Sequence, residues 1–248
     1  MTSISEAKLE ILTDPEALAL RVADWLLAAA AAKANTKDGV FAVALSGGST
    51  PKLLYEHLAR PPFRDEFPWS RTHWFWGDER FVPHDDAQSN YRMVNEAMLS
   101  RAPIPAANIH AVSFGDSPEA AARAYQRELQ SFYGAERFDP ARPLFDVTLL
   151  GLGPDGHTAS LFPETAVLTE RDRWVAAVVG VKSEPRITLT YPALESSRQV
   201  AFLIAGGEKR AILGRFLSGD GSLPAVHLHP TGGICVFGDV AAVGTANA

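Results

Sequence analysis

The stretch GLGPDGHTASLFP, residues 151–163, admits two readings that lead to different folds of function. It contains G-x-G-x-x-G at Gly151, Gly153 and Gly156, the spacing of a dinucleotide-binding turn. It also sets Asp155 and His157 two residues apart, as a proton-transfer centre does. The apolar run FDVTLL (145–150) predicts a strand immediately before it, so the fingerprint meets its first requirement. It then fails. A dinucleotide turn delivers backbone N–H groups to a pyrophosphate, whereas this one holds Pro154, which has no N–H, and Asp155, which repels an anion. The acidic residue nearest the ribose-gripping position, Asp172, precedes the next apolar run, WVAAVV, where the pattern requires it to follow a strand. The segment therefore reads as a strand-end loop that presents a histidine beside a carboxylate.

Working outward, short β-rich runs alternate with amphipathic ones. Thr13-Asp14-Pro15-Glu16 carries a capping side chain and a first-turn proline, and Leu18, Val22, Trp25, Leu26 and Ala29 continue at helical spacing. VFAVALS (40–46) and THWFW (72–76) predict strands, with a helix from Pro51 through Leu58 between them. Ser89 caps a helix to Leu99, and IHAVS (109–113) is a short strand. Ser117-Pro118 opens a helix to about Tyr133. Strands follow at 145–150, 174–179, 186–190 and 199–205, then a helix from about Glu208 to Leu217 and a last strand, GICVFGD. Several of these are continuous apolar runs, as expected when helices cover both faces of a parallel sheet. The expected architecture is a mostly parallel α/β sheet with helices on both faces, with residues 1–248 forming one domain and FDPARPLF (138–145) a loop within it.

The bulk numbers narrow the class of function. The 248-residue chain carries a net charge of −6, which argues against a general nucleic-acid binder. The single cysteine, Cys235, excludes an intramolecular disulfide and reads as an inert core residue of a reducing compartment. No basic segment followed by an apolar run opens the chain, and the run from Trp25 to Ala32 falls far short of the ~20 residues a membrane span needs. A cytoplasmic protein without a membrane partner is expected.

In an open α/β sheet, ligands sit beyond the carboxyl ends of the strands. Four segments lie there: SGGSTP, GDERFVP, GLGPDGH and AGGEKR. In the first, Gly47 and Gly48 permit a tight turn, Ser46, Ser49 and Thr50 add hydroxyl donors, and the positive end of a helix dipole faces the same spot, as a phosphate monoester requires. G-x-x-x-x-G-K-[ST] is absent, so the loop is no nucleoside-triphosphate cradle. GDER places Asp78, Glu79 and Arg80 in a turn after a strand of large aromatics. Arg186 opens its strand, and Lys209 stands in the first turn of a helix, where a cation opposes the dipole unless an anion is bound. His157, with Asp155 fixing its tautomer, can accept a proton from water. A helix-capping Asp155 with a packed histidine behind it is the plain structural alternative. G-x-S-x-G and H-E-x-x-H do not occur, and His227 and His229 form an H-x-H pair without a partner cluster for a metal. His57, His73, His84 and His110 read as surface or packing residues.

Taken together, ALSGGSTPKLLYEHLA, FWGDERFVPHDDAQSNYRM, FDVTLLGLGPDGHTASLFP and RITLTYPALESSRQVAFLIAGGEKRAIL resemble the 6-phosphogluconolactonase family in order and spacing, from about Val40 to Asp239. The wider superfamily includes glucosamine-6-phosphate deaminases, similar at the GG[ST]TP loop and at G-x-G-x-D-G-H. Those continue with N-E-P and D-E-Y, where this chain has SLFP and DER. The resemblance implies a Rossmann-like, doubly wound, mostly parallel sheet and hydrolysis of a sugar-phosphate lactone, with no metal and no organic cofactor. No nucleic-acid partner is expected from the charge, and the sequence leaves the choice between a monomer and a small homo-oligomer open. It implies that His157, Asp155 and Arg80 are catalytic. The substrate and its phosphate would be held by Ser46, Gly47, Gly48, Ser49, Thr50, Asp78, Asn90, Arg186 and Lys209. Asn90 would meet sugar hydroxyls. How phosphate binding and oxyanion stabilisation divide among Arg80, Arg186 and Lys209 stays open, as does a deaminase or isomerase activity, or a non-catalytic sugar-phosphate sensor, on the same fold.

Overall fold

The computed structural model describes residues 3–36 and 39–244. Seven strands form one parallel sheet: β1 (Lys8–Leu12), β2 (Phe41–Leu45), β3 (Thr72–Trp76), β5 (Ile109–His110), β6 (Phe145–Leu150), β9 (Ser197–Ile204) and β10 (Gly233–Asp239). They lie in the order β1-β10-β9-β6-β2-β3-β5. From β2 the chain builds outward through β3 to β5, then returns to β6 and builds the other way through β9 to β10. The reversal falls between the neighbours β2 and β6, where Val43 stands opposite Val147. Right-handed crossovers on the two sides of such a reversal send the connecting helices to opposite faces and open a crevice at the strand ends.

The helices are α1 (Pro15–Ala34), α2 (Ser49–Leu58), α3 (Phe63–Glu66), α4 (Asn90–Val94), α5 (Pro118–Tyr133), α6 (Tyr191–Glu195), α7 (Arg210–Leu217) and α8 (Val240–Val243). Their starts follow the local chemistry. The Asp14 carboxylate accepts from Ala17 N at 2.8 Å and Ser117 Oγ from Ala120 N at 3.1 Å, each with proline in the first turn. The expected helix to Leu99 is α4 running directly into a π-helical turn, Asn95–Leu99.

Three features differ from the sequence reading. Lys8–Leu12 is a strand, although its charged and exposed pattern gives no apolar run; it forms the sheet's edge beside β10. The runs at 174–179 and 186–190 do not join the parallel sheet. As β7 (Val175–Val178) and β8 (Arg186–Leu189) they form a separate antiparallel sheet with β4 (Asp78–Arg80). After Gly77, Asp78–Arg80 is therefore a strand and not a turn, since Asp78, Glu79 and Arg80 pair with Thr188, Ile187 and Arg186. Cys235 is only half-buried, because the face of β10 it occupies opens onto a groove beside Trp25 and Arg21.

Buried apolar side chains form one contiguous cluster, with Trp74, Phe75 and Trp76 of β3 and Phe145 of β6 fully enclosed. Two buried phenols close the polar backbone where neighbouring strands end. Tyr55 O–H donates to Ser46 O at 2.8 Å and its oxygen accepts from Ser46 N at 3.0 Å; Tyr125 does the same for Trp76, at 3.0 and 2.7 Å. Among the described residues no helix is long and apolar enough to cross a membrane.

Tyr55→Phe removes one oxygen and leaves the buried N–H and C=O of Ser46 unpaired. Urea denaturation should show a loss of about 1–3 kcal/mol. An unchanged midpoint would mean that water or a neighbour satisfies Ser46 in its place.

Candidate active site

A cleft of about 280 Å³ lies at the chain reversal. The loop after β2 supplies Ser46–Pro51, the loop after β6 supplies Gly151–Pro154 and His157–Ala159, β4 and α4 supply Asp78, Arg80 and Asn90, and the end of β9 supplies Leu203, Ala205 and Lys209. All the predicted site residues line it except two. Asp155 stands behind His157, and Arg186 lies across the β4–β8 ladder from Arg80.

The loop after β6 settles the competing readings of its glycines. Gly156 N donates to Gly153 O at 3.0 Å and Gly153 N to His157 O at 2.8 Å, so the turn closes on itself and these N–H groups are spent. No helix opens at this turn; the next helical element is a short 3-10 turn, Ala166–Thr169. The dinucleotide geometry is absent, and what the turn presents is the histidine. His157 Nδ1 is hydrogen-bonded to Asp155 Oδ1, which also accepts from His157 N at 3.2 Å. Its ring packs on Phe162 at 4.6 Å between centroids. A side chain at Gly153 would place its Cβ 2.0 Å from His157 Nδ1, so glycine there is the condition for the imidazole's seat. With Nδ1 committed to the carboxylate, Nε2 is the nitrogen left for a ligand. Partial burial works to raise the Asp155 carboxyl pKa, but the hydrogen bond and charge of His157 outweigh it and leave the group below the ordinary value. Two residues on, Ala159 holds φ +47°, an unfavourable conformation for a residue with a Cβ. It turns the chain so that Ser160 Oγ reaches Asp78 Oδ2 at 2.6 Å.

On the opposite wall, Gly48 adopts φ +106° and starts α2 without a capping side chain. The first-turn N–H groups of Ser49 and Thr50 have no partner within the helix and head the cleft with the positive end of its dipole. Ser46 is pinned by Tyr55, and its Oγ donates to Gly47 O at 3.2 Å.

Two cations, Arg80 and Lys209, line this space and Arg186 stands beside Arg80 across the β4–β8 ladder; among the described residues none of the three is in an ion pair. Lys209 Nζ donates to Leu152 O at 2.8 Å, and Arg80 Nη1 to Gln88 O at 2.7 Å. The Nε atoms of Arg80 and Arg186 are buried without any partner. Burial, with the like charge of Arg80 next, lowers the pKa of Arg186. Asp78, Glu184 and Glu79 offset part of this charge, but among the described residues no carboxylate comes within ion-pair distance of either guanidinium, and two guanidiniums side by side with orphaned Nε donors can take an anion. Asn90 is buried, and its Nδ2 donates to Asp78 O at 2.9 Å.

The other histidines fall outside the cleft. His57 Nε2 is 2.9 Å from Glu16, His84 Nε2 meets Val112 O at 2.7 Å, and His73 Nδ1 and His110 Nε2 are 2.8 Å apart. His227 Nε2 is engaged by Gly221 O at 2.8 Å. Among the described residues no group of three or more His, Cys, Asp or Glu could hold a metal ion. Sequence reasoning did not select Thr158, which lines the cleft and whose hydroxyl ties to Gly151 O at 3.0 Å, and it named Glu79 within GDER without assigning it a role.

Known proteins resemble this chain in sequence and in fold. The family described as glucosamine-6-phosphate isomerases/6-phosphogluconolactonase matches residues 13–237. A 6-phosphogluconolactonase of Nostoc sp. is 42% identical over 242 residues, covering 94% of this chain and 95% of its own. One from Streptomyces coelicolor is 39% identical over 225 residues, covering 85% and 86%. The crystal structure of the Thermotoga maritima 6-phosphogluconolactonase superposes with a TM-score of 0.80 at 36% identity, over 94% of this chain and 99% of the other. With that likeness running through every segment that lines the cleft, the chain belongs to the glucosamine-6-phosphate isomerase/6-phosphogluconolactonase family.

Proposed function

We propose that this protein hydrolyses 6-phospho-D-glucono-1,5-lactone to 6-phospho-D-gluconate, the lactone step of the oxidative pentose phosphate route. The observation that carries this reading is the pairing in one cleft of an imidazole backed by a carboxylate with unmatched cations and a helix N-terminus. The names of the full-length relatives support it. The whole chain acts as one domain, a monomer or small homo-oligomer of the cytoplasm.

The 6-phosphate lies on the Ser46–Thr50 loop, with Lys209 and the Arg80–Arg186 pair as its basic partners. Asn90 and Asp78 meet sugar hydroxyls. The C1 carbonyl faces His157. Nε2 takes a proton from water as its oxygen attacks C1, and Asp155 stabilises the imidazolium that forms. The negative charge that develops on the carbonyl oxygen is met by donors already in place, Arg80 or loop N–H groups. Collapse of the tetrahedral species breaks the C1–ring-oxygen bond, and the imidazolium returns its proton to that oxygen. The balance is one water consumed per lactone opened, with no redox change.

A coupled assay on freshly made lactone, followed against spontaneous hydrolysis, tests the activity; glucosamine-6-phosphate should release no ammonia. His157→Ala should lower kcat by ~10²–10⁴-fold while 6-phosphogluconate still binds. Near-normal turnover would remove His157 from the chemistry. Lys209→Ala should raise KM much more than it lowers kcat, because it removes binding shared by ground and transition states; an unchanged KM would place the phosphate elsewhere.

Asp155 adds a pH dependence of stability. Its folded pKa lies below the unfolded one, so its contribution is present above the usual carboxylate range and is lost as pH falls through the depressed value. Asp155→Asn should therefore be less stable than the parent at pH 5–6, with the gap closing towards pH 2. A gap that persists at acid pH would mean that the carboxylate's charge contributes nothing to it.

A further inference from the structure

Glu79 is the central residue of β4, and the cleft does not contain it. Asp78 and Arg80 on either side line the cleft, so by the alternation of a strand Glu79 points the other way. It is 2% exposed. Its carboxylate is fully occupied. Oε1 accepts from Arg80 N and from Asn90 N, both at 2.7 Å, and Oε2 accepts from Tyr91 N at 2.7 Å and Ser89 Oγ at 3.2 Å. Among the described residues no basic side chain lies within ion-pair distance of it. Burial pushes the Glu79 carboxyl up, against the pull of the Tyr91, Asn90 and Arg80 N–H groups. A charge buried without a cation is costly to retain. Ser89 Oγ accepts from Arg92 N at 3.1 Å, so Glu79 serves the first two N–H groups of α4, Asn90 N and Tyr91 N, and in addition reaches Arg80 N, which belongs to β4 and lies outside that helix.

What Glu79 joins is specific. It holds the backbone of Arg80 and the backbone of Asn90 to the same oxygen. Asn90 Nδ2 then reaches back to Asp78 O at 2.9 Å. Its Oδ1 lies against the other wall, so close that a Cβ on Gly47 would stand 2.1 Å from it. The line Glu79–Asn90–Gly47 thus fixes how far the arginine-bearing wall stands from the Ser46–Thr50 loop. We propose that Glu79 is a positioning residue for the lactone reaction, setting Arg80 and Asn90 at the spacing the phosphorylated sugar requires. This rests on the lactonase reading of the cleft.

Glu79→Gln keeps the shape and one acceptor oxygen while removing the charge and placing a donor against donors. Glu79→Asp keeps the charge but shortens its reach. Both are measured in the natural chain and in an Arg80→Ala/Asn90→Ala background, at a temperature where urea titration shows each protein folded. In the natural chain each should lower kcat/KM for the lactone, and weaken calorimetric binding of 6-phosphogluconate, by tenfold or more. In the double-substituted background the same changes should alter binding by less than twofold, because the groups that Glu79 positions are gone. A role confined to stability gives equal losses in both backgrounds and overturns the proposal, as does a loss below twofold in the natural chain. Failure of both variants to fold also overturns it, since Glu79 then serves the fold as a whole. If the parent protein opens no lactone above the spontaneous rate, the lactonase reading falls, and 6-phosphogluconate binding alone decides for or against Glu79.

Discussion

The structure depends on a reversal of build direction between β2 and β6. Within a parallel sheet every strand ends on the same side, and the backbone groups just past those ends have no ladder to join. Elsewhere a crossover helix covers them. At the reversal the chain leaves β2 and β6 towards opposite edges of the sheet, and a cleft opens at their ends. Tyr55 closes one of the exposed ends by pairing both polar groups of Ser46. The turn at Gly153–Gly156 closes the other by bonding to itself. What is left open is the first turn of α2 and the imidazole edge, which face the same space.

The second sheet supplies the remaining wall. β4 is a short strand by any measure, and its hold on β8 brings Arg80 and Arg186 into register although 105 intervening positions separate them in the chain. Like charges at that spacing repel, and burial makes the repulsion stronger. Their side chains are kept there by a ladder of backbone bonds and by the Glu79 clamp, with an anion as the natural complement. The repulsion and the two unpartnered Nε donors come from one arrangement.

Much of this was legible in the residues. Continuous apolar runs gave the inner strands β2, β3, β6 and β10 with bounds close to those observed, and the glycine-rich segments after strands gave most of the cleft lining. The failures have physical causes. β1 is an edge strand whose Lys8 and Glu10 suit solvent, so it carries no apolar signature. β7 and β8 are as apolar as the strands of the main sheet, and local pattern does not say which sheet a strand joins. DER has no β propensity to speak of and becomes a strand only because β8 lies alongside. Glu79 was named within GDER but given no role, because its bonds to the backbone of Asn90 and Tyr91 are contacts that no spacing in the sequence announces.

The emptiness at Gly153 has a consequence for how such a site can change over time. The imidazole of His157 occupies the volume that any side chain at Gly153 would fill. Histidine and glycine are therefore a single inherited unit, one present only because the other is bare. A lineage that abandons the histidine frees Gly153 to drift, and once a methyl group has settled there, restoring the histidine alone no longer restores the geometry. The loop acts as a ratchet.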